Sequence, residues 1–145
     1  MAFDAYAHHD AHRMFQFAQY CAEEAGDWHL RAKVLTSMTR QAVRCNDPDA
    51  GLTFIELALV RADRLTATEH AMLHSDRARA LAKLGRVQDA AAAVGVADEE
   101  FSHAQPINDP VYVRYYDTAF HTGLTGAALQ DVALLHGHFI TEARH

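Results

Sequence analysis

Four alanines, Ala11, Ala50, Ala90 and Ala128, recur at separations of 39, 40 and 38 residues, and their surroundings recur with them. Five positions before each stand Tyr6, Cys45, Gly85 and Gly123. Four positions after come Phe15, Phe54, Val94 and Val132, and three further on Ala18, Leu57, Ala97 and Leu135. A small residue followed one helical turn later by a bulky one suits two closely crossing helices, which need a small side chain where the backbones approach and a large one where they diverge. Self-similarity at a fixed period marks a chain built as a row of like supersecondary units.

The punctuation makes those units helical. Most of the three prolines and seven glycines sit where a helix should start or stop. Gly26 reads as a stop, with Asp27 ready to cap the next helix. Asp47-Pro48 and Asp109-Pro110 each place a capping carboxylate before a proline at the first helical position. Thr66-Ala67-Thr68-Glu69 has the spacing of a capping box. Between these marks Ala, Leu, Arg, Gln and Glu dominate, all strong helix formers. The expectation is seven helices and a partial one, over about 2–8, 10–25, 28–45, 48–63, 67–85, 87–103, 110–122 and 126–141. Short links between helices of similar length make antiparallel hairpins.

A chain of 145 residues fits a single domain, 1–145. The period divides it into repeats of roughly 1–26, 27–65, 66–105 and 106–145, the first hairpin being incomplete. The formal net charge of −6 leaves no positive field to gather phosphates, so direct nucleic-acid binding by this segment is not expected. Cys21 and Cys45 form no CxxC pair, and a reducing cytoplasm is the simpler setting. No leader pattern opens the sequence and no apolar run approaches the roughly 20 residues that span a bilayer. A soluble, cytoplasmic chain without a membrane partner is expected.

The stretch from Ala78 to Ala97 resembles the tetratricopeptide consensus, with its small residue in helix A at Ala78, its closing glycine at Gly85 and its helix B alanines at Ala90 and Ala97. The period here exceeds that family's usual ~34 residues, as helices longer by about a turn would give. Met1-Ala2-Phe3-Asp4-Ala5-Tyr6, His9 to Phe15, Ala22 to Asp27, and the later Asp109-Pro110, Tyr115-Tyr116-Asp117 and Gly123 to Leu129 are similar to the C-terminal tetratricopeptide region of actinobacterial helix-turn-helix transcriptional regulators. That resemblance implies antiparallel helical hairpins stacked as a right-handed α-α superhelix. It also implies a protein- or peptide-binding module, the interaction or sensor part of a bacterial regulator. The first residues read as the end of a helix A, and no basic-flanked recognition helix is present, so the DNA-reading domain of such regulators is not expected within these residues.

Carrying the family's inward-facing slots across selects Leu35, Thr39, Ser75, Arg79, Val113 and Asp117, with Phe120 one turn along and Arg114 at the rim. Arg79, helped by Arg114, is suited to forking onto a peptide carboxylate or an acidic side chain, and Phe120 offers apolar area. Asp117 competes by pairing with Arg79. Two alternatives stay open: a sensor of a small molecule or signalling peptide, and self-association as a homodimer through an apolar end.

Chemistry-bearing constellations are sparse. Among eleven histidines, His70 and His74 share a helix face at i, i+4 beside Glu69, but this is not the HExxH order and no third ligand is evident, so no metal and no cofactor are expected. His8, His9 and His12, and His136 and His138, are read the same way. No GxSxG elbow, P-loop or GxGxxG occurs, so the expectation is a binder and not an enzyme. Cys45, in a repeat turn slot, is expected to pack as a small residue.

Overall fold

The computed structural model describes the chain from Ala2 to Ala143, with side chains described at His9, from 12 to 135 and at Gly137. Six α-helices follow in order: α1 (Ala2–Ala25), α2 (Trp28–Arg44), α3 (Pro48–Leu59), α4 (Ala67–Lys83), α5 (Val87–Phe101) and α6 (Thr118–Ala143). Short 3-10 turns at Ala62–Arg64, Pro106–Asn108 and Val111–Val113 fill the longer links, and no strand occurs among the described residues. None of the described helices is long and apolar enough to cross a membrane.

The caps act as their residues dictate. Gly26 ends α1 at φ +70°, and the Leu30 N–H donates to Asp27 Oδ1 at 3.0 Å to open α2. Asn46 turns the chain at φ +61°, and the Ala50 N–H donates to Asp47 Oδ1 at 3.2 Å, with Pro48 in the first turn of α3. At the start of α4 the Glu69 N–H donates to Thr66 Oγ1 (3.2 Å) while the Thr66 N–H donates to Glu69 Oε1 (3.0 Å). Glu69 is fully buried, and its Oε1 also meets His29 Nδ1 at 2.7 Å, which ties the start of α4 to the start of α2. Gly85, at φ +78°, lets the Arg86 N–H return to the Leu81 carbonyl.

α2 and α3 form one hairpin and α4 and α5 another; α1 packs on α2, α3 on α4, and α6 on both α4 and α5. Because α2 touches α4 and α4 touches α6, the even-numbered helices form one layer. Two cores result. Leu35, Met38, Ile55, Met72 and Leu73 fill the first, closed at one end by Val113, Tyr116 and Leu124. The second is alanine-rich: Ala78, Ala82, Ala90, Ala93 and Ala128 around Leu81 and Val94 bring α4, α5 and α6 close together. At Gly51, an added Cβ would lie 3.2 Å from Val43 and 3.3 Å from the Thr39 carbonyl, so glycine sets the approach of α3 to α2.

The two ends of the chain depart from the expected repeat. Cys45 and Gly85 lie in turns as the period predicts, but Tyr6 lies within α1 and Gly123 within α6. The helices expected at 2–8 and 10–25 are one, and those expected at 110–122 and 126–141 are replaced by a helix that begins only at Thr118 and runs through both Gly123 and Gly126. Neither glycine adopts a positive φ. A helical glycine costs only about 1 kcal/mol relative to alanine, and burial of Leu124, Thr125 and Ala128 outweighs that. Asp109-Pro110 opens no α-helix. Asp109 is buried with Oδ1 unbonded, and the true cap is Asp117, whose Oδ1 accepts the Phe120 N–H at 2.9 Å. α3 also stops short of 63, at Leu59, with Arg61 turned to φ +63°. Cys45 is exposed, a correction to its expected packing role: the residue holds the turn by backbone bonds to Gln41 and Val43.

Candidate functional site

Where α2, α4 and the first turns of α6 meet, the even-numbered layer opens into a cleft of about 130 Å³. α2 contributes Thr39, Arg40, Val43 and Arg44, α4 contributes Asp76 and Arg79, and α6 contributes Phe120 and Leu124. Thr39 and Val43, Arg40 and Arg44, and Phe120 and Leu124 are each four apart and Asp76 and Arg79 three apart, which is how one helix face is presented.

Two arginines inside the cleft have opposite circumstances. Arg40 grips Asp76 with two parallel bonds, Nε to Oδ1 at 3.0 Å and Nη2 to Oδ2 at 2.9 Å, and donates a third to the Tyr115 hydroxyl at 3.0 Å. Its guanidinium also lies over the Phe120 ring, 5.0 Å from the centroid. Burial pushes the Asp76 carboxyl up, and the guanidinium pulls it back; the forked geometry is that of a carboxylate with a charged arginine. For Arg40 burial acts downward most strongly of any single cause, but the charge and hydrogen bonds of Asp76 and Tyr115 together outweigh it and raise the group above its ordinary value. Arg79 has no hydrogen bond or ion pair with any described residue, and its Nε is buried without an acceptor. A buried donor left unmade costs about 1–3 kcal/mol. Arg44 stands exposed at the rim.

The sequence-derived candidates separate into three groups. Thr39, Arg79 and Phe120 line the cleft. Leu35, Ser75 and Val113 are fully buried and are core residues instead, a correction with a plain cause: the slots chosen on α2 and α4 fall partly on the faces that meet the neighbouring helices, and Val113, in a 3-10 turn, closes the end of the first core. Ser75 accepts a bond from the Tyr116 hydroxyl at 2.7 Å. Arg114 and Asp117 are exposed but do not line the cleft, so the expected help of Arg114 to Arg79 is absent, as is any Asp117–Arg79 ion pair. Thr39 is itself buried and turns its hydroxyl back to the Leu35 carbonyl at 2.9 Å. Arg40, Val43, Arg44, Asp76 and Leu124 were missed.

On the α5 side of α6, polar groups close on one another. Ser75, the Tyr116 hydroxyl, His121 Nδ1 (2.8 Å) and, through Nε2, Asp98 Oδ1 (2.7 Å) form a chain across α4, α6 and α5, with Phe101 stacked on the imidazole at 4.4 Å. Burial raises the Tyr116 phenol.

Of the histidines, His70 bonds the Ala62 carbonyl and approaches Glu100 at 3.6 Å, while His74 leaves Nδ1 buried without a partner. No group of three or more metal-ligating side chains is assembled among the described residues. His8, His136 and His138 lie outside the described side chains. No protein-family model, curated protein or solved structure matches this chain.

Proposed function

We propose that the chain is a protein- or peptide-binding helical-repeat module, of tetratricopeptide type with its hairpins stacked as a right-handed superhelix, serving as the interaction or sensor part of a bacterial transcriptional regulator in the cytoplasm. The observation that carries this reading is the cleft on the α2, α4, α6 layer, where a guanidinium donor is left without a partner beside apolar walls. Rigid helices hold those groups before any ligand arrives, which limits the ordering cost of association. The α2–α3 and α4–α5 hairpins, with their turns at Cys45 and Gly85, support the repeat architecture. Binding, rather than catalysis, is the work such a site does: its carboxylate is tied to Arg40, and no nucleophile and base are paired within it.

The test is fluorescence anisotropy with labelled acidic peptides on wild type, Arg79→Glu and Arg114→Glu. Loss of binding in the first variant and retention in the second is the expected result, because only Arg79 lines the cleft. Equal binding by all three proteins would remove the cleft from the function.

A further inference from the structure

We infer that the cleft at Arg79 takes a free carboxylate bearing one side-chain-sized apolar group, the chemistry shared by the apolar C-terminal residue of a peptide and by a small branched or aromatic acid. The inference deepens the binding reading above and rests on it.

Charge comes first. Three arginines and one aspartate line the cleft, so its formal charge is +3 − 1 = +2 in a chain whose net charge is −6. Arg40 already gives three of its five N–H donors, and its charge, to Asp76 and Tyr115. The guanidinium left over is that of Arg79, half-buried on the cleft wall and without a hydrogen bond or ion pair to any described residue, with Arg44 able to add a second charge from the rim. A carboxylate fits a guanidinium edge in two parallel bonds. A guanidinium edge forks onto a phosphate as well, but a phosphate site usually draws further donors from helix N-termini or backbone nests. Here α2 and α4 present their flanks, and the Phe120 N–H at the start of α6 is taken by Asp117.

Size and polarity come next. A cavity of roughly 150 Å³ holds a benzene ring, and the cleft, at about 130 Å³, is of that order. Val43, Phe120 and Leu124 make its walls apolar. Beside it a shallower hollow of about 340 Å³ shares Arg79, Phe120 and Leu124 and continues over Ala119 and Gly123. A Cβ added at Gly123 would meet nothing within 4 Å, so the space along α6 is open to whatever chain is attached to the acid.

Calorimetric titration of the full chain tests this with six probes: Ala-Ala-Ala-Leu and Ala-Ala-Ala-Phe with free carboxylates, the same two peptides amidated, 4-methylpentanoate and 3-phenylpropanoate. The acid peptides should bind at least roughly tenfold more tightly than the amides, the scale of one lost charge-assisted hydrogen bond, and Arg79→Gln should erase that ratio. Gly123→Leu, which fills open space on a helix without disturbing the fold, should weaken the peptides and spare the small acids. Peptides stronger than the small acids identify a chain terminus as the source, and equal strength identifies the free acid; both sustain the inference. Equal binding of acid and amide overturns it while leaving peptide binding intact. Binding of the small acids alone sustains it while removing the peptide reading, and binding of no probe overturns it.

Discussion

Phe120 and His121 are adjacent on α6 yet belong to opposite situations. His121 closes a run of hydrogen bonds from Ser75 through Tyr116 to Asp98 and is covered by Phe101. Phe120 borders a cleft in which Arg79 keeps a buried donor without an acceptor. A satisfied network in a low-dielectric setting holds elements in place, whereas an unsatisfied donor in the same setting is a demand for something from outside. The difference teaches where this molecule spends its polar groups on its own fold and where it holds one in reserve.

Breaking the anchored part of the cleft should have the largest effect. Asp76→Ala leaves Arg40 without its partner, and urea unfolding should show a loss of about 3 kcal/mol, at the lower end for a broken buried pair because Arg40 is partly exposed. His121→Ala removes two hydrogen bonds and a stacked ring, and should cost about 2 kcal/mol by the same measurement. Arg79→Met sharpens the comparison by going the other way: removal of an unpartnered donor should leave stability unchanged or raise it by about 1 kcal/mol, while binding at the cleft is lost. A destabilisation similar to that of Asp76→Ala would show that Arg79 is structural. Gly123→Ala should stabilise by about 0.5–1 kcal/mol, since the glycine is helical and a Cβ there has room.

The smallest effect concerns pH. Burial, aided by Arg77 and His70, lowers the His74 imidazole below its ordinary 6.5. The folded chain therefore holds it neutral, and on acidification the unfolded chain takes up the proton first. The stability this contributes is present above about pH 6.5 and is lost as pH falls through the folded value. Melting temperatures measured from about pH 7 downward should fall less steeply for His74→Leu than for wild type.

The caps at Asp27, Asp47 and Thr66 and the turns at Cys45 and Gly85 were legible because each rests on local chemistry. The single helix α6 was not, because the cost of Gly123 and Gly126 is small and the burial of Leu124, Thr125 and Ala128 that offsets it depends on α4 and α5, far along the chain. Asp109-Pro110 misled for a similar reason: its cap signal is genuine, but the chain there turns through Val111–Val113 and leaves Asp117 to start the helix. Of the site, Arg79, Phe120 and Thr39 could be placed from the repeat. Arg40 and Asp76 needed the register of α2 against α4, which only the packed helices reveal.

The uninterrupted course of α6 has a mechanical side. Leu134 lies fourteen residues beyond Phe120, roughly 21 Å along the axis at 1.5 Å per residue, and its side chain faces solvent. Over that length a tilt of about five degrees at the near end would sweep the far end through roughly 2 Å, the lever arm that one continuous helix provides.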